Sequence, residues 1–359
     1  MRGRGIVFTG PERAELEEVS VDPADLRPGE VLVRAEHSIV SAGTEGSFYT
    51  NLMAEVPQVY RPRPTIYPAR TGYGHLGVVE ALGPEAEEGG ARPLYPLRPG
   101  QRVLSFSRHA SVVRCNARRF ALPVPPDADG RRVVFTRMAG VAITALRVST
   151  ASAGDSVAVI GLGLVGNLAA QLFQIAGCRV IGFDLSPRRL ELARACGVSN
   201  VHDASQVDPV EVTRSWVGSP DDRGGARIVV EAIGHSSLAP QAVEMAGRHG
   251  EVVLLGSPRA PYTGDMTPML GRIHLLAIKL IGALEWTFPI PEESERARHT
   301  IGANYRQILD WILEERLIVD PLRTHVLPPE RCQEAYSGLT HRKDDYLGVV
   351  FDWSGESPA

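Results

Sequence analysis

Residues 154–184 read GDSVAVIGLGLVGNLAAQLFQIAGCRVIGFD, and this stretch decides the fold. A short apolar run, SVAVI, is followed by the glycines Gly161, Gly163 and Gly166 in the spacing G-x-G-x-x-G. The pattern predicts a buried strand, a tight turn, and a helix that ends near Gly177. A second apolar run follows the helix. This order of strand, turn, helix and strand is typical of a doubly wound parallel sheet.

The glycine turn predicts a dinucleotide site. The first glycine permits the tight turn, the second lets the backbone approach a pyrophosphate, and the third lets helix and strand pack closely. The start of the helix offers free N–H groups to the phosphates. Asp184 ends the second strand, near the spacing expected for a carboxylate that accepts both ribose hydroxyls.

Asp184 also favours NAD over NADP, because a carboxylate there would repel the 2′-phosphate of NADP. Arg188 and Arg189 follow closely, and in the NADP alternative one of them would bind that phosphate. With Asp184 present, we expect the two arginines to flank the adenine or to face solvent. The predicted cofactor-binding residues are Gly161, Gly163, Leu164, Val165, Gly166, Asp184, Arg189, Ala232 and Gly256.

The segments around this unit predict a second, β-rich part of the chain. Valine- and isoleucine-rich runs before residue 154 indicate strands, and two short apolar runs after residue 184 indicate strands buried on both faces. A long helix and two further strands close the pattern. The predicted strands are 31–40, 74–83, 226–234, 250–257, 324–328 and 346–353. Residues 98–106 are predicted to form a turn followed by a strand, and the predicted helix is 296–315.

Composition narrows the function classes. A net charge of −4 argues against a broad nucleic-acid surface, and no apolar run approaches the ~20 residues that span a bilayer. The N-terminus MRGRGIVFTG lacks the apolar core of a signal peptide. Four cysteines, none in a CxxC pair, are typical of a reducing compartment. We therefore expect a cytoplasmic protein that acts on a small molecule and binds neither nucleic acid nor a membrane.

Several segments occur in a recognisable order: VLVRAEHSIVSAGTE, GYGHLGVVEALG, RPGQRV, GDSVAVIGLGLVG, VVEAIG, GEVVLLGSP and the last strand. In this order the chain resembles the medium-chain dehydrogenase/reductase superfamily. Within the superfamily, the chain resembles the bacteriochlorophyllide a dehydrogenase branch, on the evidence of SAGTE, His109 and GLGLVG. That branch is also similar to sugar and cyclitol oxidoreductases. The resemblance implies an α/β fold with a GroES-like β-rich catalytic domain, residues 1–148 and 287–359, and a Rossmann domain, residues 149–286.

The resemblance also bears on zinc. Zinc-dependent relatives use a cysteine, a histidine and a third Cys, Asp or Glu, and leave one position open for substrate. Here Ala42 stands at the cysteine position, Tyr73 at the histidine position, and the third position falls near Arg137. The four-cysteine lobe of structural zinc is missing too. We expect no zinc; a cluster of Glu45, His75 and His109 is the remaining alternative for a metal.

Without zinc, side chains must handle the hydroxyl proton that hydride transfer leaves behind. Thr44 matches the hydroxyl that contacts the substrate oxygen in zinc relatives, and Glu45 matches an acidic residue that supports their metal site. Tyr73 and His75 occupy the stretch of the lost ligand, and strand alternation predicts that they share one face. The predicted catalytic residues are Thr44, Glu45, Tyr73, His75 and His109, and which of them is the acid or base stays open.

The predicted activity is a zinc-independent, NAD-dependent alcohol dehydrogenase or ketoreductase. Its substrate would be a secondary alcohol on a polar ring, such as a cyclitol, amino sugar or glycoside of secondary metabolism. Four alternatives remain: a redox-neutral epimerase with tightly bound NAD, an enoyl or quinone reductase, a tetrapyrrole-side-chain dehydrogenase, and a non-catalytic NAD-binding module. The resemblance implies a homodimer through the edge of the Rossmann sheet, and the segment there, 273–285, is apolar and β-branched enough to support it.

Overall fold

The computed structural model describes residues 1–54, 64–84, 95–218, 223–291 and 297–355. The N-terminal segment forms strands connected by loops and short helices, as its valine-rich runs predict. Its strands are β1 (Arg2–Gly10), β2 (Arg13–Ser20), β3 (Glu30–Ile39), β4 (Ala69–Arg70), β5 (His75–Leu82), β6 (Arg102–Ser105), β7 (Val112–Asn116) and β8 (Ala121–Val124). Its helices are α1 (Ala42–Tyr49), α2 (Gly130–Val133) and α3 (Thr136–Val148).

The middle segment alternates strands and helices. Its strands are β9 (Ser156–Ile160), β10 (Arg179–Asp184), β11 (Val201–Asp203), β12 (Ala226–Glu231), β13 (Ala246–Leu254) and β14 (Lys279–Gly282). Its helices are α4 (Leu164–Ile175), α5 (Pro187–Ala195), α6 (Pro209–Val217), α7 (Leu238–Met245) and α8 (Thr267–Leu276). The last segment adds α9 (Ile301–Leu313), β15 (Arg323–Leu327), α10 (Cys332–His341) and β16 (Gly348–Asp352).

The middle strands form a six-stranded sheet in the order β11-β10-β9-β12-β13-β14, and every neighbouring pair is parallel. The chain leaves β9 towards β10 and later returns on its other side at β12, so the strand order reverses beside β9. All five residues of β9 are buried, which explains its unbroken apolar run. Ligands of such sheets bind at the carboxyl ends of the strands next to this reversal.

Helix α4 follows the glycine turn and buries one apolar face, as the sequence predicts. Leu168 and Leu172 are fully buried, and Val165 and Ile175 are partly buried along the same face. The helix ends at Ile175, and Gly177 just beyond it has a φ of 87°, in the left-handed region that favours glycine. Helix α3 packs against both α4 and α9, so the core runs from the parallel sheet into the second part of the fold.

The N-terminal and C-terminal segments share a seven-stranded sheet. Its order is β15-β16-β3-β5-β6-β8, with β7 also paired to β3, and a three-stranded sheet β2-β1-β4 lies beside it. Strand β16 pairs antiparallel with β3, which places Val350 opposite Ile39. The last strand of the described chain therefore completes a sheet that the first strands begin.

The predicted fold class, a β-rich GroES-like part joined to a Rossmann-type parallel sheet, is confirmed. The predicted strands and the long helix all exist, with ends that move by a few residues. The largest differences are at 296–315, where the helix covers Ile301–Leu313, and at 250–257, where the strand covers Ala246–Leu254. The boundaries after residues 148 and 286 stay predictions. None of the helices in the described ranges is long and apolar enough to cross a bilayer.

Candidate active site

The glycine turn joins the end of β9 to the start of α4. Gly161 has a φ of 90°, and its N–H donates to the Phe183 carbonyl oxygen at 2.8 Å. A Cβ on Gly166 would lie 1.9 Å from the Gly161 carbonyl oxygen, so helix and turn approach closely only without a side chain. A Cβ on Gly163 would meet no protein atom within 4 Å. Packing therefore requires Gly166, while Gly163 borders open space.

The N-terminus of α4 faces that open space. Gly163 is the N-cap residue, and its carbonyl accepts from the Asn167 N–H at 2.8 Å. The first N–H groups of any helix have no partner within the helix, and the helix dipole places partial positive charge there. Both features fit the phosphates of a dinucleotide.

Asp184 ties the end of β10 to the glycine turn. One carboxylate oxygen accepts from the Leu162 N–H at 2.7 Å, and the other accepts from the Ser186 N–H at 2.9 Å. A guanidinium nitrogen of Arg189 lies 3.6 Å from the first oxygen, and Arg189 also donates to the Lys343 carbonyl. Each carboxylate oxygen has a second lone pair, so Asp184 can still accept ribose hydroxyls.

A cavity of ≈ 330 Å³ joins this turn to the first helix of the chain. Eight of the nine predicted cofactor-binding residues line it, and Asp184 lies buried behind them with 6% of its surface exposed. Of the five predicted catalytic residues, Thr44 and Tyr73 line it. The remaining wall includes Ser41, Ala42, Gly43, Met138, Val141, Ser257 and Arg259.

Tyr73 is held at the wall by two contacts. Its hydroxyl donates a short hydrogen bond to Ser41 Oγ, and the guanidinium carbon of Arg137 lies 4.4 Å from its ring centroid. Arg137 is buried and forms two 2.8 Å contacts with the Glu285 carboxylate, and it donates to the Tyr305 hydroxyl as well. Burial works to lower the pKa of Arg137, but Tyr305 and Glu285 outweigh it and raise the pKa above its usual value.

Glu45 and His109 form a buried pair behind the cavity wall. Glu45 accepts from His109 Nε2 at 2.9 Å, from the Tyr336 hydroxyl at 2.7 Å and from the Ser41 N–H at 2.8 Å. Neither Glu45 nor His109 is exposed. Because the Ser41 N–H stands at the start of α1, the Glu45 carboxylate fixes the turn that carries Thr44.

The histidine extends this network to the end of the chain. His109 Nδ1 lies 2.7 Å from Ser38 Oγ, and the Trp353 indole N–H donates to the same oxygen at 2.9 Å. Every polar group of this network has a partner, as burial requires. The structure thus places Glu45 and His109 among the residues that hold the site, out of reach of a molecule in the cavity.

His75 is also fully buried, and the structure does not bring it to the cavity. Its Nε2 lies 3.3 Å from the Ala110 carbonyl, and its Nδ1 has no partner among the described residues. Burial lowers the pKa of His75 to about 4. The expectation that Tyr73 and His75 share one face fails here, because β5 begins only at His75 and Tyr73 precedes the regular strand.

The residues at the three zinc-ligand positions do not fit a zinc ion. Ala42 has no donor atom, the Tyr73 hydroxyl is engaged with Ser41, and Arg137 brings a positive charge. Across the described part of the chain, no group of three or more His, Cys, Asp or Glu side chains is placed to hold a metal. The alternative cluster is also not formed, because Glu45 and His109 pair with each other while His75 contacts a carbonyl.

Sequence reasoning missed several residues of the site. Ser41 lies directly before the AGTE segment, and that adjacency was its available signal. Glu285 and Tyr305 contact Arg137 although they lie 148 and 168 positions away in the sequence. No sequence pattern near either residue indicates this contact. Arg259 follows the strand segment GEVVLLGSP and contributes a guanidinium to the cavity.

A parallel sheet with an open glycine turn, sharing a cavity with polar side chains of a β-rich part, is typical of dinucleotide-dependent oxidoreductases. Residues 165–293 match the family described as "Zinc-binding dehydrogenase". These residues therefore form a domain of this family, within the medium-chain dehydrogenase/reductase superfamily.

Two curated relatives illustrate the range of similarity. The chain is 26% identical to 2-desacetyl-2-hydroxyethyl bacteriochlorophyllide A dehydrogenase of Cereibacter sphaeroides, over 98% of this chain and 99% of that one. It is 31% identical to L-threonine 3-dehydrogenase of Bacillus velezensis over 144 residues. That second match spans 40% of each protein, less than half of the threonine dehydrogenase.

Solved structures agree on the fold. Galactitol-1-phosphate dehydrogenase of Escherichia coli has a TM-score of 0.78 at 18% identity, over 97% of this chain and 99% of that one. A dehydrogenase of Sinorhizobium meliloti 1021, described as zinc-binding and bound to NADP, has a TM-score of 0.77 at 18% identity, with 98% and 99% covered. Together with the glycine turn, these matches support the predicted nicotinamide cofactor.

The second and third glycines of the turn predict different outcomes for alanine substitution. Gly166→Ala forces the turn to shift, so we expect a loss of about 1–3 kcal/mol in stability and weaker NADH binding. Gly163→Ala meets no protein atom, so we expect a stability change within about 0.5 kcal/mol but weakened NADH binding. Denaturant titration and NADH fluorescence measure the two effects. Wild-type NADH affinity in Gly163→Ala would contradict the assignment of this surface to the ligand.

The buried His75 predicts a stability loss in mild acid. Its pKa of about 4 in the folded protein lies below the ordinary histidine value of 6.5, so the unfolded chain takes up the proton first. Stability from this group is intact above pH 6.5 and falls as the pH drops towards 4. Between pH 7 and pH 5 we expect a loss of about 2 kcal/mol that His75→Gln removes. The check is urea unfolding of both proteins at each pH, and equal pH slopes would refute this account.

Proposed function

We propose that this protein is an NAD-linked, zinc-independent oxidoreductase that interconverts a secondary alcohol and a ketone on a polar ring. One observation carries the proposal. A single continuous cavity runs from the open glycine turn to the hydroxyls of Thr44 and Tyr73, where an arginine stands at a zinc-ligand position. The arrangement brings a dinucleotide and a polar substrate together, and the side chains present must do the acid–base work.

The cofactor site favours NAD over NADP. Asp184 keeps its carboxylate at the end of β10, where a 2′-phosphate would meet negative charge. Arg189 lies beside that carboxylate and against the Lys343 carbonyl. The nicotinamide ring of a bound dinucleotide supplies the hydride acceptor or donor at C4. The first turn of α4 binds the phosphates, and Asp184 orients the adenine ribose.

Thr44 and Tyr73 are the proposed contacts to the substrate oxygen, because they line the cavity and the other three candidates do not. The Tyr73 hydroxyl is linked to Ser41 Oγ, so a proton can pass between the substrate oxygen, a tyrosine and a serine. Arg137 is neutralised by Glu285, and its role is to fix the Tyr73 ring. Glu45, His75 and His109 are proposed as positioning residues of this wall.

The experiment is an assay of NADH formation from purified protein, with NAD and NADP offered separately. The panel contains cyclitols, amino sugars, aminoglycosides and simple secondary alcohols, with a chelator present throughout. We expect turnover with NAD in the chelator, and a loss of about 10²-fold in kcat for Tyr73→Phe at unchanged NADH affinity. Loss of activity in the chelator, with recovery on adding zinc, would overturn the zinc-independent mechanism.

A second substrate class has an observation in its favour. The full-length similarity to the Cereibacter sphaeroides enzyme supports adding a hydroxyethyl-bearing tetrapyrrole to the same panel. Turnover of that compound alone would replace the polar ring in the proposal. A product with inverted configuration at the carbinol carbon, formed without net NADH, would instead indicate a redox-neutral epimerase.

The edge of the parallel sheet supports a homodimer. Strand β14 ends the six-stranded order, and it pairs only with β13 among the described residues. Leu280 on this strand is 42% exposed, and Leu275 and Leu284 nearby are exposed as well. A second copy pairing along β14 would satisfy the free backbone groups and cover these side chains.

We expect light scattering after size-exclusion chromatography to give the mass of a dimer. Leu280→Glu places a charge in the proposed seam and should shift the protein towards a monomer. Leu313→Glu is the matched control, because Leu313 has a similar exposure of 41% on α9, outside the seam. A monomeric wild-type protein, or dimers of equal stability in both variants, would contradict this seam.

A further inference from the structure

Arg259 contributes a guanidinium to the cavity wall from the segment after β13. Its backbone N–H donates to the Gly234 carbonyl at 2.9 Å, which fixes this segment against the loop that follows β12. Its side chain is half-buried and reaches across to α1. The residue therefore brings a positive charge from the parallel-sheet part to the catalytic part of the fold.

The charge on Arg259 has no partner within the described ranges. The other two arginines at this site are each beside a carboxylate: Arg137 pairs with Glu285, and Arg189 lies beside Asp184. Arg259 forms no such ion pair there, and its Nε is buried without a hydrogen-bond partner. Burial lowers the pKa of Arg259, partly offset by the nearby Tyr73. A half-buried, unpaired guanidinium is costly unless a ligand supplies the missing negative charge.

The position of the guanidinium is set by Gly43. A Cβ on Gly43 would lie 2.4 Å from Arg259 Nη1 and 3.2 Å from Nη2. The absence of a side chain on Gly43 therefore leaves room for the two terminal nitrogens of the guanidinium. Gly43 directly precedes Thr44, and Tyr73 is the other neighbour that acts on Arg259. The guanidinium thus lines the same cavity as the two residues, Thr44 and Tyr73, whose hydroxyls are assigned to the substrate oxygen.

We propose that Arg259 binds a carboxylate or phosphate carried by the alcohol substrate, so that the enzyme acts on anionic ring alcohols. The inference rests on the proposed function and narrows its substrate class. The planar guanidinium fork matches either anion with two parallel hydrogen bonds. The pyrophosphate of the cofactor is the other source of such an anion. The contacts with Gly43 and the proximity of Tyr73 favour the substrate, since the first turn of α4 already offers donors to the pyrophosphate.

The test compares matched pairs of probes: myo-inositol 1-phosphate with myo-inositol, and glucuronate with glucose. Wild-type protein, Arg259→Gln and Arg259→Lys are measured, with Arg316→Gln as a surface control that lies outside the cavity. For each protein, calorimetry gives the affinity of the NAD complex for every probe, steady-state assays give kcat/KM, and NADH fluorescence gives the cofactor affinity. Circular dichroism melting confirms that each variant is folded.

We expect the wild-type complex to bind an anionic member of a pair more tightly than its neutral partner. Arg259→Gln should lower the affinity for that anionic probe by about 10²-fold. The affinities for the neutral probe and for NADH should change by less than about 3-fold. Arg259→Lys should recover part of the loss, because it keeps the charge but not the fork. The control should match the wild type.

Two results would overturn the inference. In one, Arg259→Gln lowers the affinity for NADH and for both probes of a pair by similar factors. That result would assign the residue to the cofactor pyrophosphate. The other is a wild-type complex with no preference for either anion. Arg259-dependent binding of an anionic probe without any turnover would keep the anion site and reject the proposed reaction. Turnover of neutral alcohols at the same rate in wild-type protein and Arg259→Gln would keep the proposed reaction and reject the anion site.

Discussion

The carboxylate of Glu45 is fully buried, and the geometry of the site depends on its hydrogen bonds. A carboxylate without water is tolerable only when donors surround it. Here the donors come from Ser41, from His109 in the connection between β6 and β7, and from Tyr336 near the other end of the chain. Because the Ser41 N–H begins α1, this one group joins distant segments and sets the turn of backbone that carries Ala42, Gly43 and Thr44. The catalytic end of the cavity is a product of that arrangement.

A second buried charge shapes the opposite wall. Arg137 with Glu285 fills the space beside Tyr73 with an ion pair that is nearly neutral overall and rich in hydrogen bonds. A metal site needs electron-pair donors that converge on one point. A guanidinium has only N–H donors, and the aromatic rings of Tyr73, Phe106 and Trp286 lie around it. This space therefore offers N–H donors and aromatic rings, which do not suit a metal cation.

The sequence predicts one half of the site much better than the other, and the reason is the range of the contacts. The glycine turn, the first turn of α4 and Asp184 lie within one strand-helix-strand unit, so spacing alone locates them. The catalytic candidates were chosen by position in a resemblance, which says which strand they occupy but not which face they present. His75 and Tyr73 are two residues apart, yet the regular strand starts between them and only Tyr73 reaches the cavity. Arg259, Glu285 and Tyr305 enter through tertiary packing, for which one sequence holds no local signal.

Strand β16 has a consequence for the order in which the chain folds on the ribosome. Trp353 donates to Ser38, which lies 315 positions earlier, and β16 pairs along β3. The parallel sheet can form as soon as residues 156–282 have emerged, because its partners are close in sequence. The seven-stranded sheet must wait for almost the whole chain, because β7 pairs with residues 30–34 of β3 but residues 37–39 pair with β16. During synthesis, the backbone groups of these three residues and the Ser38 hydroxyl therefore lack their final partners until β16 and Trp353 have emerged.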